Sequence, residues 1–404
     1  MKSVNPANNT IVFEDLSNDG YDISSETVTM RFFNPVRVHL ENIVFKAELD
    51  APSESARALS GIEIAYADNP RIINCDVEDF ANAGILLRKC YRPEILGGKT
   101  LRANNYYTGY GVQLLGCSYS IIRDRMFAGC RRGVDVSGLS TVSWNNLIEN
   151  CTVLGGGHDS RGVVYGWNSA GTTGSHTSEQ YGMGTHGPAG RTTYRGNTTI
   201  GVKRPYSLRG YDETIENFKH IGRTHGGVIQ CSDGQHLTVR GGSAVGGFTG
   251  ALQYARFNDE GLNSDYRYGL PDRLVWFYNG YKYNPTSGAR YGNVVITGVH
   301  AELRGNWALF SETELAAPKG ILHVSSNSFY FYDVNASTSS PNYETAIYCC
   351  GAAAPDTTPK IRWLIGPNLM VRGDRVTGSD LYQPMLVKNA SLSGAQVVRP
   401  VVEP

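Results

Sequence analysis

Short apolar segments that begin with glycine recur along the first half of the chain. They lie at Gly61-Ile62-Glu63-Ile64, Gly84-Ile85-Leu86-Leu87, Gly111-Val112-Gln113-Leu114, Gly133-Val134-Asp135-Val136 and Gly162-Val163-Val164-Tyr165, at intervals of 23, 27, 22 and 29 residues. Each segment is too short for a helix, and its apolar residues alternate with polar ones or run together. The pattern therefore predicts a series of short β-strands.

A second segment returns within the same period. Ile73-Asn74-Cys75-Asp76-Val77 matches Glu149-Asn150-Cys151-Thr152-Val153, and looser relatives are Ile122-Arg123-Asp124 and Ile215-Glu216-Asn217. Each period thus holds at least two strands, which predicts the coils of a parallel β-solenoid with strands about 4.8 Å apart. At the glycines we expect corners with positive φ, and at the asparagines we expect stacked side-chain ladders. The L-x-x-L-x-L frame of a leucine-rich repeat is missing.

The repeat also predicts the domain organisation. We expect a cap segment over residues 1–50, the coil stack over 51–345 with decreasing regularity, and a separate β-rich C-terminal element over 346–404. A polar insertion around 155–196 interrupts the period. Insertions in solenoids collect on one face, so we expect this one to form a groove.

Composition narrows the classes of function. The 404 residues carry 37 basic and 37 acidic side chains, so no broad field attracts nucleic acid or an anionic membrane. The first ten residues contain no apolar core of a signal peptide, and no apolar run reaches membrane-spanning length. The eight cysteines form no C-x-x-C pair, which predicts buried reduced thiols and synthesis in a reducing cytosol.

The glycine-led segments and the I-x-N-C-x-V segments together resemble the right-handed parallel β-helix of bacteriophage tailspikes, within the broader pectate-lyase-like group. The resemblance implies an all-β fold and a homotrimer. It also implies location in the virion, on a phage tail or baseplate protein, after synthesis in the host cytoplasm. Proteins of this family bind, and usually cleave, a bacterial capsule, exopolysaccharide or O-antigen, so we expect an endo-acting depolymerase.

Candidate catalytic residues concentrate in the insertion and the coils after it. Six of the nine histidines lie there, namely His158, His176, His186, His220, His225 and His236. Hydrolysis of a glycoside needs two carboxyl groups, for which the candidates are Asp159, Glu179, Asp212, Glu213 and Asp233. Elimination needs a base and a cation that neutralises the sugar carboxylate, for which the candidates are His158, His176, His186, Tyr181, Arg161 and Arg191.

Both reactions remain open, and so does a non-catalytic adhesin. We favour hydrolysis over elimination because several carboxylates share the region. Each histidine also has an ordinary structural interpretation as a loop residue bonded to backbone, and Asp212-Glu213 also fits a solvated turn.

Aromatic residues form a second cluster, with ten of them between Tyr254 and Tyr291. Flat rings with polar tips suit sugars, although subunit interfaces are enriched in the same residues. The predicted substrate-binding residues are Arg161, Tyr181, Arg191, Trp167, Tyr266, Tyr268, Trp276 and Tyr278. No spacing typical of a metal site, a phosphate loop or a dinucleotide site is present, so we predict no essential metal and no cofactor, and structural ions stay open.

Overall fold

The computed structural model of the chain describes fifteen segments. They are residues 3–5, 10–12, 36–47, 59–103, 108–138, 141–155, 181–232, 236–247, 269–277, 293–304, 307–311, 321–332, 347–349, 362–366 and 368–372. Every regular element in these segments is a strand, and no helix long and apolar enough to cross a membrane occurs among them.

The strands are numbered in chain order. The first seventeen are β1 (Ser3–Asn5), β2 (Thr10–Val12), β3 (His39–Glu41), β4 (Val44–Lys46), β5 (Ser60–Ala65), β6 (Arg71–Ile73), β7 (Asp76–Glu78), β8 (Ala83–Arg88), β9 (Glu94–Leu96), β10 (Lys99–Leu101), β11 (Tyr110–Leu115), β12 (Ile121–Arg123), β13 (Met126–Ala128), β14 (Arg132–Ser137), β15 (Ser143–Trp144), β16 (Leu147–Glu149) and β17 (Thr152–Leu154). The others are β18 (Tyr181–His186), β19 (Ala189–Gly190), β20 (Thr193–Arg195), β21 (Thr198–Ile200), β22 (Arg204–Leu208), β23 (Glu213–Ile221), β24 (Ile229–Cys231), β25 (His236–Val245), β26 (Val275–Phe277), β27 (Asn293–Leu303), β28 (Leu309–Ser311), β29 (Ile321–Ser325), β30 (Ser328–Phe331), β31 (Ile347–Cys349), β32 (Arg362–Ile365) and β33 (Leu369–Arg372).

Twenty-nine of these strands form two long parallel sheets, one of 10 strands and one of 19, while β15 and β19 form a short parallel pair and β1 and β2 an antiparallel one. Within each sheet, neighbouring strands come from successive coils, so that Ile62 pairs with Ile85 and Ile85 with Val112. In the 19-stranded sheet most coils contribute two short strands separated by a bend. Strands β23, β25 and β27 are longer and continue through the bend, so that β23 pairs with both β20 and β21. The predicted parallel β-solenoid is confirmed.

The core is a set of columns in which like residues stack from coil to coil. Ile72, Ile95, Ile122 and Ile148 follow one another in register and are almost fully buried. Each coil buries its apolar face against the coils above and below, which is how a solenoid of short strands gains a continuous core. This stacking explains why the apolar segments repeat in the sequence.

The corners agree in part with the expectation about glycine. At the bend in the 19-stranded sheet, positive φ occurs at asparagines such as Asn74 and Asn150 in some coils and at glycines such as Gly97 in others. The segment-leading Gly84 is needed for another reason, since a Cβ there would lie 2.8 Å from the Gly111 carbonyl oxygen of the next coil. Asparagine tolerates left-handed backbone, so it shares these corners with glycine.

Asparagine ladders are rarer than expected. Among the described residues, Asn327 and Asn368 bond side chain to side chain, at 2.9 Å. Asn146 and Asn197 instead accept hydrogen bonds from backbone amides of neighbouring coils.

The stack also extends beyond the predicted boundaries. Strands β3 and β4 already pair with β6 and β7, and β31 to β33 continue the two sheets to residue 372. Within the predicted insertion, residues 181–195 belong to coil strands, and β18 takes the place next to β14. The segment at Gly162 lies outside the described residues. The cysteines of the described segments are buried thiols outside any disulfide, as predicted, namely Cys75, Cys90, Cys117, Cys130, Cys151 and Cys231.

Candidate functional site

The outer face of the 10-stranded sheet carries two columns of mostly polar or aromatic residues, and both columns run along the stack. Residues of successive coils in register, facing away from the core, are Gln113, Asp135, Gly184, Ser207, Gln230 and Trp276. A parallel column at the start of the strands holds Tyr110, Arg132, Tyr181 and Arg204. The ion pair between Arg132 and Asp135 and the edge-on contact between Tyr110 and His186 show that the two columns share one surface, while the apolar residues of the strands fill the core.

Asp135 lies at the centre of a hydrogen-bonded cluster on this face. Its Oδ1 accepts from Arg132 Nη1 at 2.8 Å and contacts His186 Nδ1 at 2.6 Å. Its Oδ2 accepts from the Ser137 hydroxyl at 2.6 Å and from Gln113 Nε2 at 3.1 Å. Arg132 and Asp135 are fully buried, whereas the His186 side chain is 27% exposed. His186 is therefore the member of the Arg132–Asp135–His186 cluster that reaches the surface.

The charges of the cluster follow from these contacts. Burial alone would raise the pKa of Asp135, but the charges of His186 and Arg132 outweigh burial and hold it well below its usual range. Burial lowers the pKa of His186 to about 4, the Arg132 charge lowers it further, and Asp135 opposes the shift. At neutral pH the cluster thus consists of an ionised carboxylate, a guanidinium and a neutral imidazole.

The tautomer of His186 is set by its partners. The carboxylate of Asp135 can only accept, so Nδ1 carries the proton and Nε2 keeps a lone pair. Arg132 Nη2 donates a long hydrogen bond of 3.3 Å to this lone pair. An imidazole oriented in this way by a carboxylate is the arrangement of a general base.

Guanidinium groups surround the neighbouring Tyr181. The carbon atoms of three of them lie near its ring centroid, Arg132 at 4.5 Å, Arg204 at 5.4 Å and Arg131 at 5.9 Å. Its hydroxyl accepts a hydrogen bond from Arg204 Nη1 at 2.7 Å. Tyr110 packs edge-on against His186, with the ring centroids 6.5 Å apart. Arginine forks of this kind match planar anionic groups such as carboxylates.

Of the predicted site residues, Tyr181, His186 and Trp276 lie on this outer face. Tyr181 and His186 are the two ends of β18, and Trp276 lies three coils further along the column. Trp276 is buried, and its ring packs against Gly226 and, edge-on, against His225.

The other described candidates lie elsewhere. Glu213 is fully buried in the interior, where the Thr185 hydroxyl and the Gly210 amide donate to its carboxyl oxygens. Asp212 and Arg191 are exposed neighbours, 3.8 Å apart, at the connection between the two sheets. His220 bonds Thr199 and the Gly222 carbonyl in the core.

Ten predicted site residues lie outside the described part of the chain. They are His158, Asp159, Arg161, Trp167, His176, Glu179, Asp233, Tyr266, Tyr268 and Tyr278. Among the residues that are described, no group of three side chains that bind metals comes together.

The sequence reasoning missed Arg132, Asp135 and Tyr110. Asp135 is the polar residue of the segment Gly133-Val134-Asp135-Val136, and Arg132 directly precedes that segment. The apolar pattern of this segment predicts a strand and does not mark its polar residue as part of a site. A polar residue at the outward position of an otherwise apolar coil strand was the signal available.

Comparison with known proteins agrees with this architecture. Residues 55–241 match the family model described as a right handed beta helix region. The fold is similar to that of the tailspike protein gp49 from Pseudomonas phage LKA1, with a TM-score of 0.51 and 12% identity over 83% of this chain and 49% of that one. This chain thus spans about half the length of that tailspike protein. No curated protein sequence matches. In its fold, the chain is a tailspike-like right-handed parallel β-helix.

Proposed function

We propose that the chain binds a bacterial surface polysaccharide along the outer face of the 10-stranded sheet and cleaves it internally, as part of a phage tailspike. The observation that carries the proposal is the Arg132–Asp135–His186 cluster on that face. The tailspike-like fold supports the choice of ligand, and the His186 side chain, which is 27% exposed, is the group of the cluster that a polymer can reach.

The described residues support β-elimination at an acidic sugar better than hydrolysis. Next to His186 on the outer face, they contribute one carboxylate, Asp135, which is already bonded to Arg132 and His186. Hydrolysis needs a second carboxyl group across the glycosidic bond. Asp159, Glu179 and Asp233 would have to supply it, and they lie outside the described residues.

In this reaction Nε2 of His186 removes the proton next to the sugar carboxylate. The electron pair forms a carbon–carbon double bond, the glycosidic C–O bond breaks, and water protonates the leaving oxygen. The half-buried guanidinium groups of Arg131 and Arg204 stabilise the charge on the sugar carboxylate. This carboxylate opposes the effects of burial and of the Arg132 charge on His186, which raises the His186 pKa towards working pH.

The test is incubation of the chain with purified capsular, exopolysaccharide and O-antigen polymers, with alginate and polygalacturonate as uronate standards. We expect at least one acidic polymer to shorten on gel filtration while ultraviolet absorbance of unsaturated uronate appears. Shortening without absorbance would replace elimination by hydrolysis. Binding without shortening would make the protein an adhesin.

The variant that tests the base is His186→Ala, with His300→Ala as its matched control. His300 is exposed and lies in the 19-stranded sheet, away from the cluster. We expect His186→Ala to lose about 100-fold or more in rate and the control to keep wild-type activity. Full activity of His186→Ala would contradict the proposed site.

The remaining parts of the proposal concern assembly. We propose that the chain forms a homotrimer in the virion and attaches to a phage tail or baseplate protein, without binding nucleic acid or inserting into a membrane.

A further inference from the structure

We propose a second glycan-binding surface on the side of the coil stack, where the 10-stranded sheet turns into the 19-stranded sheet. This surface, called here the aromatic flank, is made of Tyr91, Arg92, Tyr119, Trp144, Arg191 and Tyr211. The inference rests on the proposed function in one respect, that the ligand is a polysaccharide. It concerns a different face from the Arg132–Asp135–His186 cluster.

The flank is regular because its residues come from the same corner of successive coils. Backbone bridges join Tyr91 to Ser118, Ser118 to Trp144, and Gly190 to Tyr211, while β15 and β19 join Trp144 to Gly190. The row therefore crosses five successive coils, a length of roughly 19 Å at the strand spacing. The distance between neighbouring coils is close to the length of one pyranose unit, so successive sugar units can lie beside successive aromatic rings.

In each coil, the residue that follows the bridged residue of this row has a left-handed backbone conformation. Arg92, Tyr119, Asn145, Arg191 and Asp212 all have φ between 48° and 57°. This shared conformation turns the corner in the same way in every coil. It places Arg92, Tyr119 and Arg191 at equivalent positions beside the aromatic row.

Trp144 and Tyr211 form the upper platform. Their rings are stacked, with centroids 6.1 Å apart and planes inclined by 10°, and the Arg191 guanidinium lies 5.2 Å from the Trp144 centroid. Gly190 of the intervening coil makes room for this stack, since a Cβ there would collide with the Trp144 ring. The result is a flat aromatic step that spans two coil intervals.

Tyr91 and Tyr119 form the lower platform, with ring centroids 5.5 Å apart in an edge-to-face arrangement. The Arg92 guanidinium stacks 4.7 Å from the Tyr91 centroid and bonds Asp68 at 3.2 Å. Beside this platform lies a cavity of about 600 Å³, whose lining includes Tyr119, Arg92, Asp68, Arg71 and Glu94.

These groups suit a sugar better than another protein surface. Aromatic rings offer faces to the C–H edges of sugars, while the planar polar groups of the cavity can bond hydroxyls. Aspartate and glutamate are depleted at the centres of protein interfaces. Here Asp212 is half-exposed beside the rings, and Asp68 and Glu94 line the cavity, which argues against a contact between two copies of the chain.

The test compares polymer binding of variants in the His186→Ala background, so that cleavage does not obscure affinity. The probes are the bacterial polymers and uronate standards named above. The test pair is Tyr119→Ala with Tyr211→Ala, and the control is Tyr332→Ala. These three tyrosines are 38%, 37% and 39% exposed, and Tyr332 follows β30 in the 19-stranded sheet. We expect the pair to weaken binding about tenfold, and the control to leave it unchanged.

A second readout uses the tryptophan of the flank. Oligosaccharide should change the intrinsic fluorescence of the His186→Ala protein, and Trp144→Phe should abolish that change while thermal stability is kept.

Each outcome separates the flank from the proposed cleavage. Unchanged affinity in the tyrosine pair overturns the flank and leaves the cleavage proposal standing. Wild-type protein that binds but does not shorten the polymer overturns cleavage, while loss of affinity in the pair still supports the flank. If none of the polymers binds, both are overturned. A changed molar mass of the pair in light scattering identifies the flank as a contact between copies and overturns the glycan site.

Discussion

The interior of the coil stack holds ionisable residues whose charge the fold controls. Burial raises the pKa of Glu213 to about 7, against the opposing hydrogen bonds from Thr185 and Gly210. Burial lowers the pKa of His220 to about 4. Near pH 6 both side chains are therefore mainly neutral in the folded protein, which avoids the free-energy cost of an unpaired charge in an apolar core.

Glu213 makes the folded protein sensitive to rising pH. Its folded pKa of about 7 exceeds the ordinary value of 4.5, so the folded state binds more protons between these values and its stability falls as pH rises through them. We expect Glu213→Gln to gain stability relative to wild type between pH 5 and 8, by roughly 3 kcal/mol at most. Urea unfolding at several pH values measures this difference. A stability difference that does not change with pH would show that Glu213 is ionised in the folded state.

At the residue scale, the sequence indicates which residue types are candidates for the site, but it does not indicate their burial or their hydrogen-bond partners. His186 and Tyr181 are separate candidates in the sequence, and the structure places them at the two ends of β18. Glu213 and Asp212 are adjacent in the chain, yet one is buried in the core and the other is exposed. Alternation along a strand separates such neighbours, and the sequence alone did not show where β23 begins.

At the scale of elements, the glycine-led segments predicted β5, β8, β11 and β14 because their apolar residues alternate with polar ones or, in β8, run together. Strand β18 was missed because its inward positions are Met183 and Thr185, between glycines, and a segment with so few branched apolar residues resembles a loop. The strands beyond residue 245 were predicted less well for a related reason. Long stretches separate them, so the repeat period is lost while the pairing in space is kept.

Arg125 is an element-scale feature that composition alone did not predict. The guanidinium is buried and donates to the carbonyl oxygens of Cys75 at 2.9 Å, Gly97 at 2.7 Å and Lys99 at 2.7 Å. These carbonyls belong to the two preceding coils, so one side chain ties three coils together. Burial lowers the Arg125 pKa to about 10, which still leaves it charged at neutral pH.

We expect Arg125→Ala to destabilise the fold by about 3 to 5 kcal/mol, because three buried carbonyls lose a charged donor and a cavity opens. The matched control is Arg123→Ala. Arg123 is exposed and bonds Glu149 across one coil interval at 2.6 Å, so its loss should cost about 1 kcal/mol or less. Thermal and urea unfolding of both variants provide the comparison. Equal effects of the two substitutions would mean that Arg125 does not hold the coils together.

For the whole molecule, the solenoid determines where functional groups can lie. Core columns leave the outward positions of each coil free to vary, so the outer face of the 10-stranded sheet and the aromatic flank carry chemistry without disturbing the stack. The repeat predicted the existence of such faces. It did not predict the partners of His186, because Asp135 and Arg132 come from the coil before β18 and about 50 residues earlier in the sequence.

The predicted homotrimer is a property of the whole molecule and follows from the resemblance to tailspikes. We expect light scattering to give about three times the chain mass of 44.1 kDa, independent of concentration. A monomer that still shortens polysaccharide would show that cleavage needs one chain only. In that case the Arg132–Asp135–His186 cluster alone would have to supply the base and the cation, as the proposed elimination requires.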